Sequence, residues 1–194
     1  MRRFAAVVTA TTATLALSVA AHAQAPAGAT QLTIATGEST LTYHLIHKMH
    51  KVSGTSKKVE GRAAITPDGK AQVMVRVPVE SFDSDNSNRD AHMKESVEAA
   101  RYPTVELKAV ADGMAPPATF PSTVKKTWKV QLVFHGVKQL FDVPIDVTWK
   151  DANTAVAKAD FHISLEGYKV ERPSLLFVKV EDDLGLSANL VFKR

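Results

Sequence analysis

Apolar residues recur at every second position along most of this chain, and that period decides what it can become. Val73, Val75, Val77 and Val79 alternate with Met74, Arg76, Pro78 and Glu80. Phe141, Val143, Ile145, Val147 and Trp149 form a second one-sided set, and Trp128, Val130, Leu132 and Phe134 a third. Phe161, Ile163 and Leu165 follow, then Leu184, Leu186, Ala188, Leu190 and Phe192. A period of two places every apolar side chain of a strand on one face, which describes half-buried antiparallel strands. About eight such strands are predicted. Turn signals fall at Pro67-Asp68-Gly69, His135-Gly136, Asp151-Ala152-Asn153 and Glu166-Gly167.

Many strands with one apolar face must cover that face, either as a sandwich or as a closed barrel. Patterning alone does not separate the two, although long late strands favour a barrel, whose strands lean across the axis. Small residues at Gly61, Ala63, Ala109 and Ala188 fall on the inward phase beside large ones. Such an interior has room for a ligand unless Trp128, Phe134, Phe141 and Phe161 fill it.

One segment breaks the alternation. Asn86 to Pro103 reads NSNRDAHMKESVEAARYP, a polar, charged stretch between two strands that a short turn could have joined. Asp83, Ser84, Asp85 and Asn86 offer helix-capping oxygens, Asp90 stands one turn before Lys94, and Pro103 returns the chain to an extended path. A short helix bearing Arg89, Asp90 and His92 is expected here. Its Arg89 and Asp90 read as ties to neighbouring loops rather than as a gate or headgroup contact.

Asn86, Arg89, Asp90, His92, Tyr102 and Pro103 together form an N-x-x-R-D-x-H segment followed by Y-P. His135-Gly136-Val137-Lys138 follows a strand, Arg172-Pro173-Ser174 precedes Val180-Glu181-Asp182-Asp183, and His47 stands ahead of Val52 and Gly54. In these four motifs, in this order, the chain resembles the YceI-like family of periplasmic lipid-binding proteins, from about residue 32 onward. The resemblance implies an all-β fold: an extended, lipocalin-like, eight-stranded antiparallel barrel with the helical insert at one side or end. It also implies an elongated apolar tunnel that takes a polyisoprenoid chain, prenyl-quinone-like or similar. One departure stands out. Where the family commonly has paired bulky residues before Y-P, this chain has Ser96, Val97, Glu98, Ala99 and Ala100, a smaller face that would loosen the helix or widen an entrance.

The inward phase names the lining of such a tunnel: Tyr43, Leu45, Val75, Val77, Val105, Leu107, Leu132, Phe134, Val143, Phe161 and Ile163. Tyr43, His47 and Tyr168 are the candidates for a polar headgroup near the mouth. No cofactor beyond such a lipid is expected.

Arg2 and Arg3, the uncharged stretch Phe4 to Ala20 and the Ala21-His22-Ala23 site read as a secretory signal over residues 1–23. A mobile leader over 24–31 and one barrel domain over 32–194 would follow, placed in the periplasm. Losing Arg2 and Arg3 and no acid lowers the formal charge from +4 to +2. A near-neutral domain is a poor partner for nucleic acid. The cluster Lys48, Lys51, Lys57, Lys58 and Arg62 reads as a solvated face, and transient membrane contact and a homodimer both stay open. The absence of cysteine excludes disulfides, thiolate catalysis and iron–sulfur clusters.

His44, His47 and His50 invite a metal, but strand residues three apart point to opposite faces. No metal site and no catalytic residues are assigned, since there is no G-x-S-x-G, P-loop or dinucleotide fingerprint. A histidine-based metalloprotein or enzyme and a ligand-free β interaction or stress-response module are the competing readings.

Overall fold

The computed structural model describes residues 28–47, 50–175 and 178–194. The signal segment and most of the leader expected over 1–27 lie outside the described residues. Strands β1 (Thr30–Ile34), β2 (Thr40–His47), β3 (His50–Ser56), β4 (Glu60–Ile65) and β5 (Ala71–Pro78) precede the single helix α1 (Ser87–Ser96). After it come β6 (Thr104–Ala111), β7 (Ser122–Phe134), β8 (Val137–Trp149), β9 (Thr154–Ser164), the short pair β10 (Ser174–Leu175) and β11 (Val178–Lys179), and β12 (Asp183–Lys193).

Eight of these strands, in the order β1-β4-β5-β6-β7-β8-β9-β12, form an antiparallel barrel closed by β1–β12 pairing, and β2 and β3 add to the free edge of β12. The apolar alternation is what closes it. Trp128, Val130, Leu132 and Phe134 of β7 are all buried, as are Val143, Val147 and Trp149 of β8. These two strands, 13 residues each, are paired from Ser122↔Trp149 to Phe134↔Val137.

The barrel is divided along its length by how β12 is shared. Its last residues pair with β1, Ile34 opposite Phe192, while Leu184 to Asn189 pair with β2. Strands β1 and β2 therefore run along one edge as a single line broken at Ala35–Ser39. Buried Ser39 pins the break: its Oγ accepts from Val191 N at 2.9 Å, and Ala35 N donates to Val191 O at 2.8 Å. Strands β3 and β4 are broken in the same way. Below the break β4 pairs with β5 and closes the wall, whereas above it β3 meets the far side through a Thr55↔Asp83 bridge and a 2.6 Å hydrogen bond between the Ser56 and Ser81 hydroxyls. The lower half is a narrow barrel, and the upper half is a wider one with a gap that α1 covers.

The loop from Met114 to Pro121, for which the sequence suggests no role, supplies the base. Met114 is buried, and its N–H donates to Gly69 O at 2.8 Å, joining this loop to the β4–β5 turn.

At the waist, β4 and β5 approach so closely that a Cβ on Gly61 would lie 2.2 Å from Met74 O. Backbone cannot yield as a flexible side chain can. Gly61→Ala is expected to lower stability by about 2–4 kcal/mol, read as a fall in the urea midpoint; an unchanged midpoint would contradict this packing.

Candidate binding site

The upper half encloses a cavity of about 730 Å³. Successive inward residues of one strand make its wall: Tyr43 and Leu45 on β2, Leu132 and Phe134 on β7, Leu184 and Leu186 on β12, with Val105 and Ile163 from β6 and β9. The roof is Arg89, His92, Met93 and Ser96 of α1 with Val97 just after it, and Val170, Pro173 and Val180 from the crossing before β12 close the remaining side. A second, inner compartment of about 80 Å³ lies in the lower half, among Val75, Leu107, Trp128, Val143, Phe161 and Phe192.

The roof helix buries no residue between Ser87 and Ser96, so packing alone does not hold it. Its N-terminus is tied to Ser84. Asn86 caps it by accepting from Arg89 N at 3.0 Å. Arg89 Nε donates to Ser84 Oγ at 2.8 Å and its Nη2 to Ser84 O. Asp90 Oδ1 accepts from Ser84 Oγ at 2.5 Å and from Ser84 N at 3.1 Å. Asp90 is thus turned to the loop rather than to Lys94, and within the helix His92 Nδ1 instead lies 3.6 Å from Glu95 Oε2 on the exposed side. Arg89 serves both expected readings, as a tie to Ser84 and as part of the cavity surface.

The chain leaving the helix is tied to the β7–β8 turn. His135 and Gly136 both take positive φ, 48° and 71°, the geometry of a two-residue hairpin turn. This places the buried His135 ring between two oxygens, Tyr168 O at 3.0 Å from Nδ1 and Glu98 Oε1 at 3.1 Å from Nε2. Neither oxygen can donate unless the Glu98 carboxyl carries a proton, so the two contacts together hold two protons between the imidazole and the carboxylate. Tyr102 packs edge-on against His135 at 4.6 Å and leaves no space over Gly136, where a Cβ would meet its ring at 2.6 Å. The histidine–glycine pair and the tyrosine before proline are two halves of one joint.

A third joint fixes the last wall. Arg172 donates from Nε to Glu166 Oε1 at 2.8 Å and from Nη1 to Val180 O at 2.9 Å. Asp182 accepts from Ser164 Oγ at 2.6 Å and Glu166 N at 2.7 Å, and these hydrogen bonds hold its carboxyl below the usual carboxylate range. Three of the four motifs that stand out in the sequence are joints around the large cavity.

A family model, the YceI-like domain, matches residues 32–192. The chain belongs to the YceI-like family. Solved structures agree on the YceI-like fold. A polyisoprenoid binding domain from Saccharophagus degradans, implicated in plant cell wall breakdown, superposes with a TM-score of 0.72 at 17% identity, covering 84% of this chain and 97% of that one. BcnA from Burkholderia cenocepacia gives 0.67 at 16% identity, covering 81% and 98%, and a YceI protein from Campylobacter jejuni 0.58 at 15%, covering 77% and 88%. No curated protein matches the chain.

Of the residues singled out in the sequence, Tyr43, Leu45, Val105, Leu132, Phe134 and Ile163 face the large YceI cavity. Val75, Leu107, Val143 and Phe161 face the inner compartment instead. Val77 is fully buried but lines neither. The side chain of His47 lies outside the described residues. His44 is on the opposite face from Tyr43 and Leu45, bonded to Ser53 Oγ at 2.8 Å and Ser187 Oγ at 3.1 Å. Among the described residues no three His, Asp or Glu side chains converge as a metal ion requires. The helix and the Val170–Val180 crossing were not legible as lining, because neither follows the strand period.

Tyr43 and Tyr168 differ in kind. Tyr43 lines the cavity beside Phe82, at 5.7 Å between rings, and its phenol is pushed up first by burial and then by the Asp90 carboxylate. Tyr168 is wholly buried behind Phe134, lines neither compartment, and its hydroxyl has no hydrogen-bond partner. Burial pushes its pKa from 10.0 up to about 12. The sign follows: above pH 10 the unfolded phenol ionises while the folded one does not, so this residue drains stability as pH rises from 10 toward 12. Tyr168→Phe removes that drain and an unsatisfied hydroxyl that costs about 1–3 kcal/mol. The variant is expected to match or exceed the parent at neutral pH and to gain on it between pH 10 and 12. Urea midpoints across that range test this, and a constant difference would refute it.

Proposed function

We infer that this protein binds one elongated, largely apolar molecule of the polyisoprenoid class, or a similar amphiphilic lipid, and stores, carries or shields it without catalysis. The observation that carries the reading is the roofed cavity of about 730 Å³, whose wall is the apolar face of the sheet and whose charged and most of whose polar groups, Arg89, His92, Glu95 and Ser96, come from the roof helix. That volume lies within the range of ordinary ligand sites. The Saccharophagus degradans neighbour, which is described as a polyisoprenoid binding domain, supports the same class of ligand.

The energetics suit a cargo held by area rather than by a charge. Each methylene removed from water contributes about 0.8 kcal/mol, so a long chain needs no strong polar contact to be retained. Ordering the chain offsets part of that gain. The polar residues of the roof then face the headgroup. The charged n-region, apolar stretch and small-residue cleavage site at the N-terminus support a periplasmic setting for this work, where a water-insoluble lipid needs a carrier between membranes.

Native mass spectrometry of protein purified from periplasm without detergent, followed by solvent extraction, tests the reading. One stoichiometric adduct that extracts as a prenyl-type lipid is expected, and a clean ligand-free mass would sink it. Leu132→Trp places a large ring in the cavity wall at a stability cost of about 1–3 kcal/mol, and should abolish the adduct. Leu140→Trp, on the outer face where Leu140 is 70% exposed, should keep it. Retention of lipid by a folded Leu132→Trp protein would show that the cargo lies elsewhere.

A further inference from the structure

The two compartments adjoin. Leu107 is paired across the sheet with Leu132, Phe161 with Leu186 and Ala188 with Leu41. In each pair the first residue lines the inner chamber and the second the large cavity. Phe161 is the largest of the three inner residues. Its ring faces inward yet is only partly buried, so part of its surface borders open space rather than packed atoms. The lining beside it is small, with Ala157 and Ala159 on β9 and Ala188 on β12.

The large cavity sets a length. At about 30 Å³ each, the share of a water molecule in the liquid, its 730 Å³ holds about two dozen carbon-sized groups. That is a headgroup and about four isoprene units. With the headgroup at the roof, where the charge is, the tail points down and its end meets Phe161. A unit inside the cavity leaves water, and each of its buried carbons tightens binding about fourfold before ordering costs. A unit that projects from the mouth stays in water and adds nothing.

We propose that Phe161 is the length gauge of this site: its ring stops the tail and limits well-held cargo to about four isoprene units. This rests on the reading that the large cavity takes an isoprenoid with its headgroup at the roof. It adds a cargo class, short prenyl chains, and the side chain that sets it. Removing the ring joins the inner chamber to the large cavity, because the alanines around it have too little side chain to fill the gap. The chamber's 80 Å³ and the vacated ring space together take about one further unit.

Competition tests this on the full mature chain, stripped of lipid by solvent and refolded. Native mass spectrometry reads which members of an equimolar mixture are bound: geraniol, farnesol, geranylgeraniol, geranylfarnesol and solanesol. The unaltered protein is expected to hold geranylgeraniol about tenfold over farnesol, and solanesol no better than geranylgeraniol. Phe161→Ala should raise geranylfarnesol relative to geranylgeraniol about tenfold. Leu186→Phe, which brings a ring into the row above, should move the preference the other way, to farnesol. Phe141→Ala removes a ring that packs on Phe161 at 5.8 Å but lines neither compartment, and should leave the order unchanged. The mixture is common to all the proteins, so differences between them report the pocket and not the solubility of the alcohols.

Solanesol as the favoured cargo of the unaltered protein, or an unchanged order in folded Phe161→Ala, would overturn the gauge and leave the lipid reading standing. A shift in Phe141→Ala as large as that in Phe161→Ala would do the same. Should Phe161→Ala not fold, an unchanged order in Leu186→Phe overturns it equally. Binding of none of the alcohols by the unaltered protein would instead remove the lipid reading itself.

Discussion

One edge of β12 serves two strands, and the rest of the molecule follows from that division. A single strand paired along the whole edge would have closed a uniform barrel, and an eight-stranded barrel of uniform bore is readily filled by its own side chains. Breaking the partner at Ala35–Ser39 sends β1 to β4 in the lower half and β2 to β3 in the upper. The lower half keeps an unbroken hydrogen-bonded wall and a nearly solid core. In the upper half β3 does not pair with β5 and meets only the segment after it, at Thr55–Asp83 and Ser56–Ser81, which leaves space. The break is stabilised in turn, because an interrupted ladder exposes backbone groups that must find partners. Ser39 and Thr36 supply them, to Val191 and to Val59 O at 3.1 Å.

A gap in a wall of strands cannot be closed by another strand without restoring the narrow barrel. The helix is the alternative, since it satisfies its own backbone and needs ties only at its ends. That accounts for the composition of the Asn86–Pro103 segment. It is polar because its role is to be anchored at Ser84 and at the His135–Gly136 turn rather than to be buried. The inner face that remains, Met93 and Val97 with Arg89, His92 and Ser96, is mixed, and it is the one part of the cavity surface with charge.

Much of this was legible in the sequence. The period of two located the main strands. The turns at Pro67–Gly69, His135–Gly136 and Asp151–Asn153 fall between strands as expected, and Asn86 caps the helix. What the period could not show is where the barrel is hollow. Val77 and Leu132 have the same pattern and nearly the same burial, yet only Leu132 borders space. The difference lies in what stands across the barrel from each residue, and the width there depends on long-range pairing such as the β1–β2 break on β12. That break pairs residues some 150 positions apart in sequence, Ser39 with Val191, and within the local sequence Thr36-Gly37 reads as an ordinary turn. Tyr168 misled for a related reason. Its phase and chemistry suit a mouth, but the turn at Glu166–Tyr168 swings it behind Phe134.

The departure at Ser96–Ala100 has its meaning here. Bulky residues at this point would press the helix C-terminus onto the barrel by packing. This chain instead holds the joint with Glu98, His135 and Tyr102, and Val97 is the buried apolar residue within the stretch. The roof helix buries no residue of its own and is retained by polar ties on either side of it, at Ser84 and through Glu98 at His135, so the cover of the cavity is fastened by a few named side chains while the barrel beneath it is held by continuous strand pairing.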